Sequence, residues 1–413
     1  MQLLNNKNIL AFLIYSGLFF DLTLSVIGAI LSQISGINGF SVVPYIRACT
    51  YPIYISIIVY IVFKNRKLTI FNGLHGFSLP ITIMIGMTAL GAVMGLINEN
   101  PIVYIIANTI YLITCALYYL ASRDFFANEK SNVAEAAKNI LPISIAYLSL
   151  CIFMQEKSAI GIAHGVCSFA VIFLSGFEWT AILSFPIILT GVIFADKASL
   201  ISLVAILAAI ASQNIKRAKS TLAIIVTLVI FVVSLFLAMK LFPEASLIQR
   251  IDKVFDGYAQ DRIIDNDPTM AQRNYEMGAA IKEIETNHPI TGWLVGAGTG
   301  ATIDLSQTPD DSVTSAALIN DRQIHNIHYF PVAIIYRYGI PGMAFTLLLY
   351  LTCITSLIKA MKSNYPPSVF ASLYISFLTV TSFTGASFFF TTPSIFIAMG
   401  FLDANEQKRM DKI

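Results

Sequence analysis

Apolar residues in this chain fall in long solid blocks, parted by short polar connections, with no regular alternation of the two kinds. The blocks lie near 9–32, 42–63, 77–97, 101–121, 140–154, 158–177, 179–195, 198–213, 221–241, 329–358, 366–384 and 386–402. An apolar run of about 20 residues matches the hydrocarbon thickness of a bilayer. The pattern therefore predicts an all-α integral membrane protein with about twelve transmembrane helices. The first block is longer than the roughly 7–15 apolar residues of a cleavable leader, and Asp21 interrupts it.

Basic residues give these spans an orientation, because Lys and Arg concentrate in cytoplasmic connections. Lys7 precedes the first block, Lys64, Arg66 and Lys67 follow the second, and Arg123, Lys130 and Lys138 follow the fourth. Lys216, Arg217 and Lys219 follow the eighth, Lys359 and Lys362 the tenth, and Lys408, Arg409 and Lys412 the twelfth. The connections between them, such as Ser32–Ser41, Asn98–Pro101 and Gln155–Lys157, carry almost no basic charge. Both termini are expected on the cytoplasmic side.

One connection is unlike the rest. Residues 1–241 hold nine expected helices and residues 329–413 three more with a cytoplasmic tail, while residues 242–328 form one large extracytoplasmic loop. Within the loop, Ser246–Tyr258 and Pro268–Glu285 read as helices, Gly292–Gly300 as a Gly-rich turn and Ser306–Asp321 as a polar segment. Thirteen Asp/Glu stand against six Lys/Arg between Glu244 and His325, so chemistry that needs polar groups is expected there.

Composition sharpens the class. Hydrophobic residues make up 56% of the chain and charged residues 12%, about half the 25% or so usual in soluble domains. That excludes a soluble enzyme, a disordered scaffold and a small secreted disulfide domain. A net charge of +2 gives no reason to expect nucleic acid as a partner. The five cysteines all lie in apolar runs without metal-ligand spacing and read as small buried hydrophobes. No metal and no cofactor is expected.

The densest group of reactive side chains is His325-Asn326-Ile327-His328-Tyr329, followed by Tyr336-Arg337-Tyr338-Gly339-Ile340-Pro341-Gly342. Histidines three apart would share one face of a helix. With an unperturbed pKa of about 6.5, a neutral imidazole can take a proton from a hydroxyl. The alternative is a pair that only anchors the start of a span. Arg47, between Pro44 and Pro52 in the second span, and Arg337 are intramembrane cations, suspects for substrate contact or for structural pairing. Gly296-Ala297-Gly298-Thr299-Gly300 lacks the ending of a nucleotide-binding loop and reads as a tight turn. Asp310-Asp311 reads as solvated loop, and Asp21, Asn108 and His164 read as packing polar groups within spans.

A His, a small polar residue, about nine further residues and then GxxG, placed after a large outer loop, resembles the signature of the O-antigen ligase and O-antigen polymerase superfamily. His328 has that spacing to Gly339 and Gly342, while His325-Asn326 supplies the usual dipeptide, so the family histidine is divided between them. Two further motifs resemble the family's. Arg273-Asn274-Tyr275-Glu276-Met277 opens a helix that leads to His288-Pro289-Ile290-Thr291-Gly292, and Lys197, in Ala195-Asp196-Lys197-Ala198-Ser199-Leu200, stands where the family carries Arg. The motifs cover roughly residues 180–345.

The resemblance implies a membrane glycosyltransferase acting without a metal on a glycan carried by undecaprenyl diphosphate, at the periplasmic face of a bacterial inner membrane. His328 or His325 would activate the acceptor hydroxyl. Arg273 and Lys197, with Arg47 in a lesser role, would hold the diphosphate, and Arg273 could otherwise pair with Glu276. The implied partners are the lipid-linked oligosaccharide or polysaccharide, membrane lipid, a chain-length regulator and a flippase. A polymerase, lengthening a surface polysaccharide in lipopolysaccharide biosynthesis, is the leading expectation. The same residues would serve a ligase that transfers to lipid A–core. A polysaccharide flippase would instead spread its charges through the spans along a central path.

Overall fold

The computed structural model describes residues 76–128, 268–306, 323–325, 327–362 and 393–410, with isolated positions within 52–59 and 368–379. Numbered in chain order among these residues, the helices are α1 (Ser78–Ile97), α2 (Ile102–Asn128), α3 (Pro268–Asn287), α4 (Thr291–Val295), α5 (Phe330–Lys362) and α6 (Pro393–Met410). Two short strands, β1 (Ile303–Asp304) and β2 (Gln323–Ile324), pair antiparallel, with Ile303 opposite Ile324. That pairing departs from the expected all-α fold, although the described residues remain mostly helical.

Among the described residues, three helices are long and apolar enough to cross a membrane: α1, most of α2 and most of α5. At about 1.5 Å per residue, the 20 residues of α1 reach across a hydrocarbon core. Their outward faces are apolar as well. On α5, Leu347, Leu351, Ile354 and Ile358 recur at helical spacing and stand exposed. Water would penalise that stripe by about 25 cal/mol per Å², whereas lipid tails would not. The protein thus has the character of a membrane protein.

The expected third, fourth and tenth spans coincide with α1, α2 and α5, but α2 continues to Asn128 and α5 to Lys362. The last span was expected at 386–402, whereas α6 runs from Pro393 to Met410 and carries Asp403 in its interior. Asp403 is tolerated there because the Phe77 backbone N–H donates to one carboxylate oxygen at 3.1 Å and the Tyr119 hydroxyl to the other at 2.5 Å. Helix α6 packs along α2, while α1 packs against both α2 and α5. The other expected spans and the expected helix Ser246–Tyr258 lie wholly or largely outside the described residues.

Helix α5 is broken at Gly339, whose φ of 59° and ψ of −138° are not helical. Pro341 explains part of the break: it has no N–H to offer the carbonyl of Arg337 four residues earlier. The glycine turn 296–300 supplies the missing donors. Ala297 N–H donates to the Tyr336 carbonyl at 2.8 Å and Gly298 N–H to the Arg337 carbonyl at 3.1 Å. Gly298, with φ +90°, lies so close to α1 that an added Cβ would stand 2.3 Å from the Gly95 nitrogen. Thr299 N–H reaches the Gly91 carbonyl at 2.8 Å, and the side chains of Asn98 and Asn100 donate to the Ala297 carbonyl at 3.0 and 2.9 Å. The turn is therefore a three-way joint between α1, the α1–α2 connection and the break in α5. It places residues 98–101 and 296–300 at one end of the spans, with Phe77, Asp403 and the Lys359–Glu406 ion pair at the other.

Candidate active site

Beside this joint, α3 lies against the start of α5 over a small apolar core formed by Ala280, Ile284, Ala297, Ala301, Ile303, Ile324 and Tyr336, among others. On α3 the buried positions Arg273, Glu276, Ala280 and Ile284 follow at three- and four-residue steps. They form one face of the helix. Two of its four positions are charged, which a packing role alone does not call for.

Glu276 is completely buried, and His328 satisfies it. One carboxylate oxygen accepts the His328 backbone N–H at 2.7 Å, and the other lies 2.8 Å from ring Nδ1. A carboxylate can only accept, so Nδ1 carries the hydrogen and donates it. In the neutral ring this leaves Nε2 with a lone pair. The His328 side chain is 38% exposed, whereas Glu276 is fully covered. An imidazole oriented by an acid in this way can act as a general base.

His325 is placed very differently. Its ring is buried and stacked on Tyr104 of α2, with centroids 4.2 Å apart and planes 12° from parallel. Nε2 lies 2.7 Å from the Asn108 side-chain nitrogen and Nδ1 lies 3.2 Å from the Ala301 carbonyl. An amide N–H can only donate and a carbonyl only accept, so Nδ1 bears the hydrogen and both ring nitrogens are engaged. Burial, and secondarily the Arg337 cation, push the His325 pKa down to about 3. The group stays neutral and occupied, and it ties α2 to the segment ahead of α5.

The expectation that the two histidines share a helix face is corrected here. Ile324 is held in the strand pair, and α5 begins only at Phe330, so neither histidine is helical. Pro331 favours that start, since the first turn of a helix needs no N–H from it. Their partners separate the two residues: His328 faces α3 and His325 faces α2. Asn108 proves to be a satisfied packing group, as expected for a polar residue in a span.

Of the cations expected to hold a diphosphate, Arg273 is buried on α3 one turn before Glu276. Lys197, Arg47 and the Asp310-Asp311 pair lie outside the described residues. The Gly-rich segment is a turn beginning at Gly296, since Gly292 belongs to α4. Its backbone N–H groups at 296, 297, 298, 299 and 301 are all donated to carbonyls within the fold, which bears out the reading of a tight turn. The partnership of Glu276 with His328 was missed in the sequence, where Glu276 was weighed only as a partner for Arg273. Its signal was present: an acid sharing a face with Ala280 and Ile284 is an acid aimed inward.

No protein-family model matches this chain, and no curated protein matches it either.

Proposed function

We propose that this protein is an integral-membrane glycosyltransferase that moves a glycan from undecaprenyl diphosphate to an acceptor hydroxyl, acting as a polymerase of O-antigen or a related surface polysaccharide at the periplasmic face of a bacterial inner membrane. The observation that carries the reading is the His328 ring, held through Nδ1 by a buried Glu276 and partly exposed. It stands at the position whose spacing to Gly339 and Gly342 resembles that of the ligase and polymerase superfamily.

In this reading the acceptor hydroxyl gives its proton to His328 Nε2 while its oxygen attacks the anomeric carbon of the donor. The bond from that carbon to the diphosphate oxygen breaks, and undecaprenyl diphosphate departs with the electron pair. Arg273, Lys197 and Arg47 hold the departing charge, as fixed cations do in a site partly closed to water. Glu276 stabilises the imidazolium that forms, without itself taking the proton.

The wider architecture of the proposal has about twelve spans, cytoplasmic termini and residues 242–328 outside. Two observations support it. Connection 98–101, poor in basic residues, meets turn 296–300 at one end of the spans, while Lys359 lies at the other. Ile290, Trp293 and Leu294 are exposed on and beside α4, as suits a segment resting in the headgroup layer.

The test is glycan transfer by the purified full chain given lipid-linked donor and acceptor. His328→Ala should cut turnover by about 10²–10⁴-fold while leaving donor binding intact. His325→Ala should be slower than wild type but measurable. Wild-type turnover in His328→Ala would refute the assignment.

A further inference from the structure

Arg337 has no role in the mechanism above, yet its side chain is 9% exposed inside a candidate spanning helix. It lies seven residues into α5, about 10 Å along the helix from Phe330. Its guanidinium donates to the His325 carbonyl, and its Nε is buried with no hydrogen-bond partner. Among the described residues no carboxylate pairs with it, and its electrostatic neighbours are Tyr336 and Tyr338. A guanidinium offers five N–H donors, and burying a charge that lacks its counter-charge is strongly unfavourable. One carbonyl does not offset that cost.

The position of the group says what would. The break at Gly339 and the glycine turn hold this part of α5 rigidly, and Arg337 is bonded to the carbonyl of a residue only three before His328. Three residues of chain span at most about 10 Å, so the carbonyl that anchors the cation lies within that reach of the proposed base. A planar guanidinium suits a phosphate, which it can grip through two parallel N–H bonds. At this depth in a spanning helix, phosphate arrives on a lipid.

We propose that Arg337 is an anion-binding point that receives a phosphate group of a membrane lipid, and, resting on the reading above, that this phosphate belongs to the diphosphate of the glycan donor. Arg337 then supplies a cation from α5 in addition to those expected from the loop, and the His325 carbonyl orients it. His325 and Asn108 become positioning residues for the leaving group, away from the base.

The experiment measures lipid binding to the full chain in neutral phosphatidylcholine nanodiscs, with undecaprenyl diphosphate and phosphatidylglycerol as separate probes. Arg337→Gln should weaken undecaprenyl diphosphate at least tenfold and Arg337→Lys several-fold, while His328→Ala binds as wild type does. Unchanged affinity in Arg337→Gln overturns the proposal. Should that variant fail to accumulate, Arg337→Lys decides in the same way, several-fold weaker binding supporting the site and wild-type binding overturning it. A loss confined to undecaprenyl diphosphate identifies the donor as the source. An equal loss for phosphatidylglycerol supports the anion site but assigns it to a headgroup. The two readings fail separately: a wild-type chain that binds lipid phosphate through Arg337 yet transfers no glycan removes the glycosyltransferase and keeps the site. A chain that transfers glycan while Arg337→Gln binds donor normally does the reverse.

Discussion

Glu276 holds His328 at two points, accepting the backbone N–H through one carboxylate oxygen and the ring Nδ1–H through the other. A single carboxylate thereby fixes both the tautomer and the direction of the imidazole, which a surface histidine ahead of a helix would otherwise leave free to rotate.

Replacing Glu276 by Gln keeps the shape but removes the charge and turns one acceptor into a donor facing N–H. Turnover should fall on the order of 10²-fold, with KM for donor little changed, because the loss is felt only as the ring becomes charged. Steady-state kinetics on the purified variant separate the two parameters. A rise in KM at constant kcat would make Glu276 a substrate contact and not a positioning residue.

The His325 network gives stability a pH dependence of definite sign. With the folded pKa lowered to about 3 and the unfolded value near ~6.5, both states are neutral above pH 6.5 and the contribution is fully present. Between 6.5 and 3 only the unfolded chain takes up the proton, so stability declines as the pH falls. Thermal melting between pH 7 and pH 5 should show this decline, and His325→Gln should flatten it. An unchanged slope in the variant would place the titrating group elsewhere.

Glycine substitutions should divide sharply by position. Gly298→Ala sets a Cβ against the α1 backbone at a positive φ, so the variant should fail to accumulate or melt many degrees lower. Gly278→Ala on α3 meets nothing within 4 Å and should raise stability by about 0.5–1 kcal/mol, the helix preference of Ala over Gly. Paired melting curves of the two variants check the joint assigned to residues 296–300.

Orientation is testable without activity. Single cysteines at Ser306 and Ser363, in a background lacking the native five, should differ toward an impermeant thiol reagent on intact cells, with Ser306 labelled and Ser363 protected. The opposite result would reverse the sidedness and move the site to the cytoplasmic face.

The chain's sequence was enough to place the long apolar helices α1, α2 and α5 and the polar helix α3, because each is set by a local property: unbroken apolar length, or a helical run leading to a Pro and Gly turn. It was also enough to single out the stretch 325–342 and to read 296–300 as a turn. Partners separated widely along the chain were beyond it. The carboxylate of Glu276 lies 52 residues from His328, and the amide of Asn108 lies 217 from His325. Two histidines that share one short motif, His328 by its spacing and His325 by its dipeptide, differ in the fold because packing sets one against a buried acid and the other against Tyr104 and Asn108 of α2. Hydrogen-bond partners distinguish the two, and only tertiary packing brings partners together.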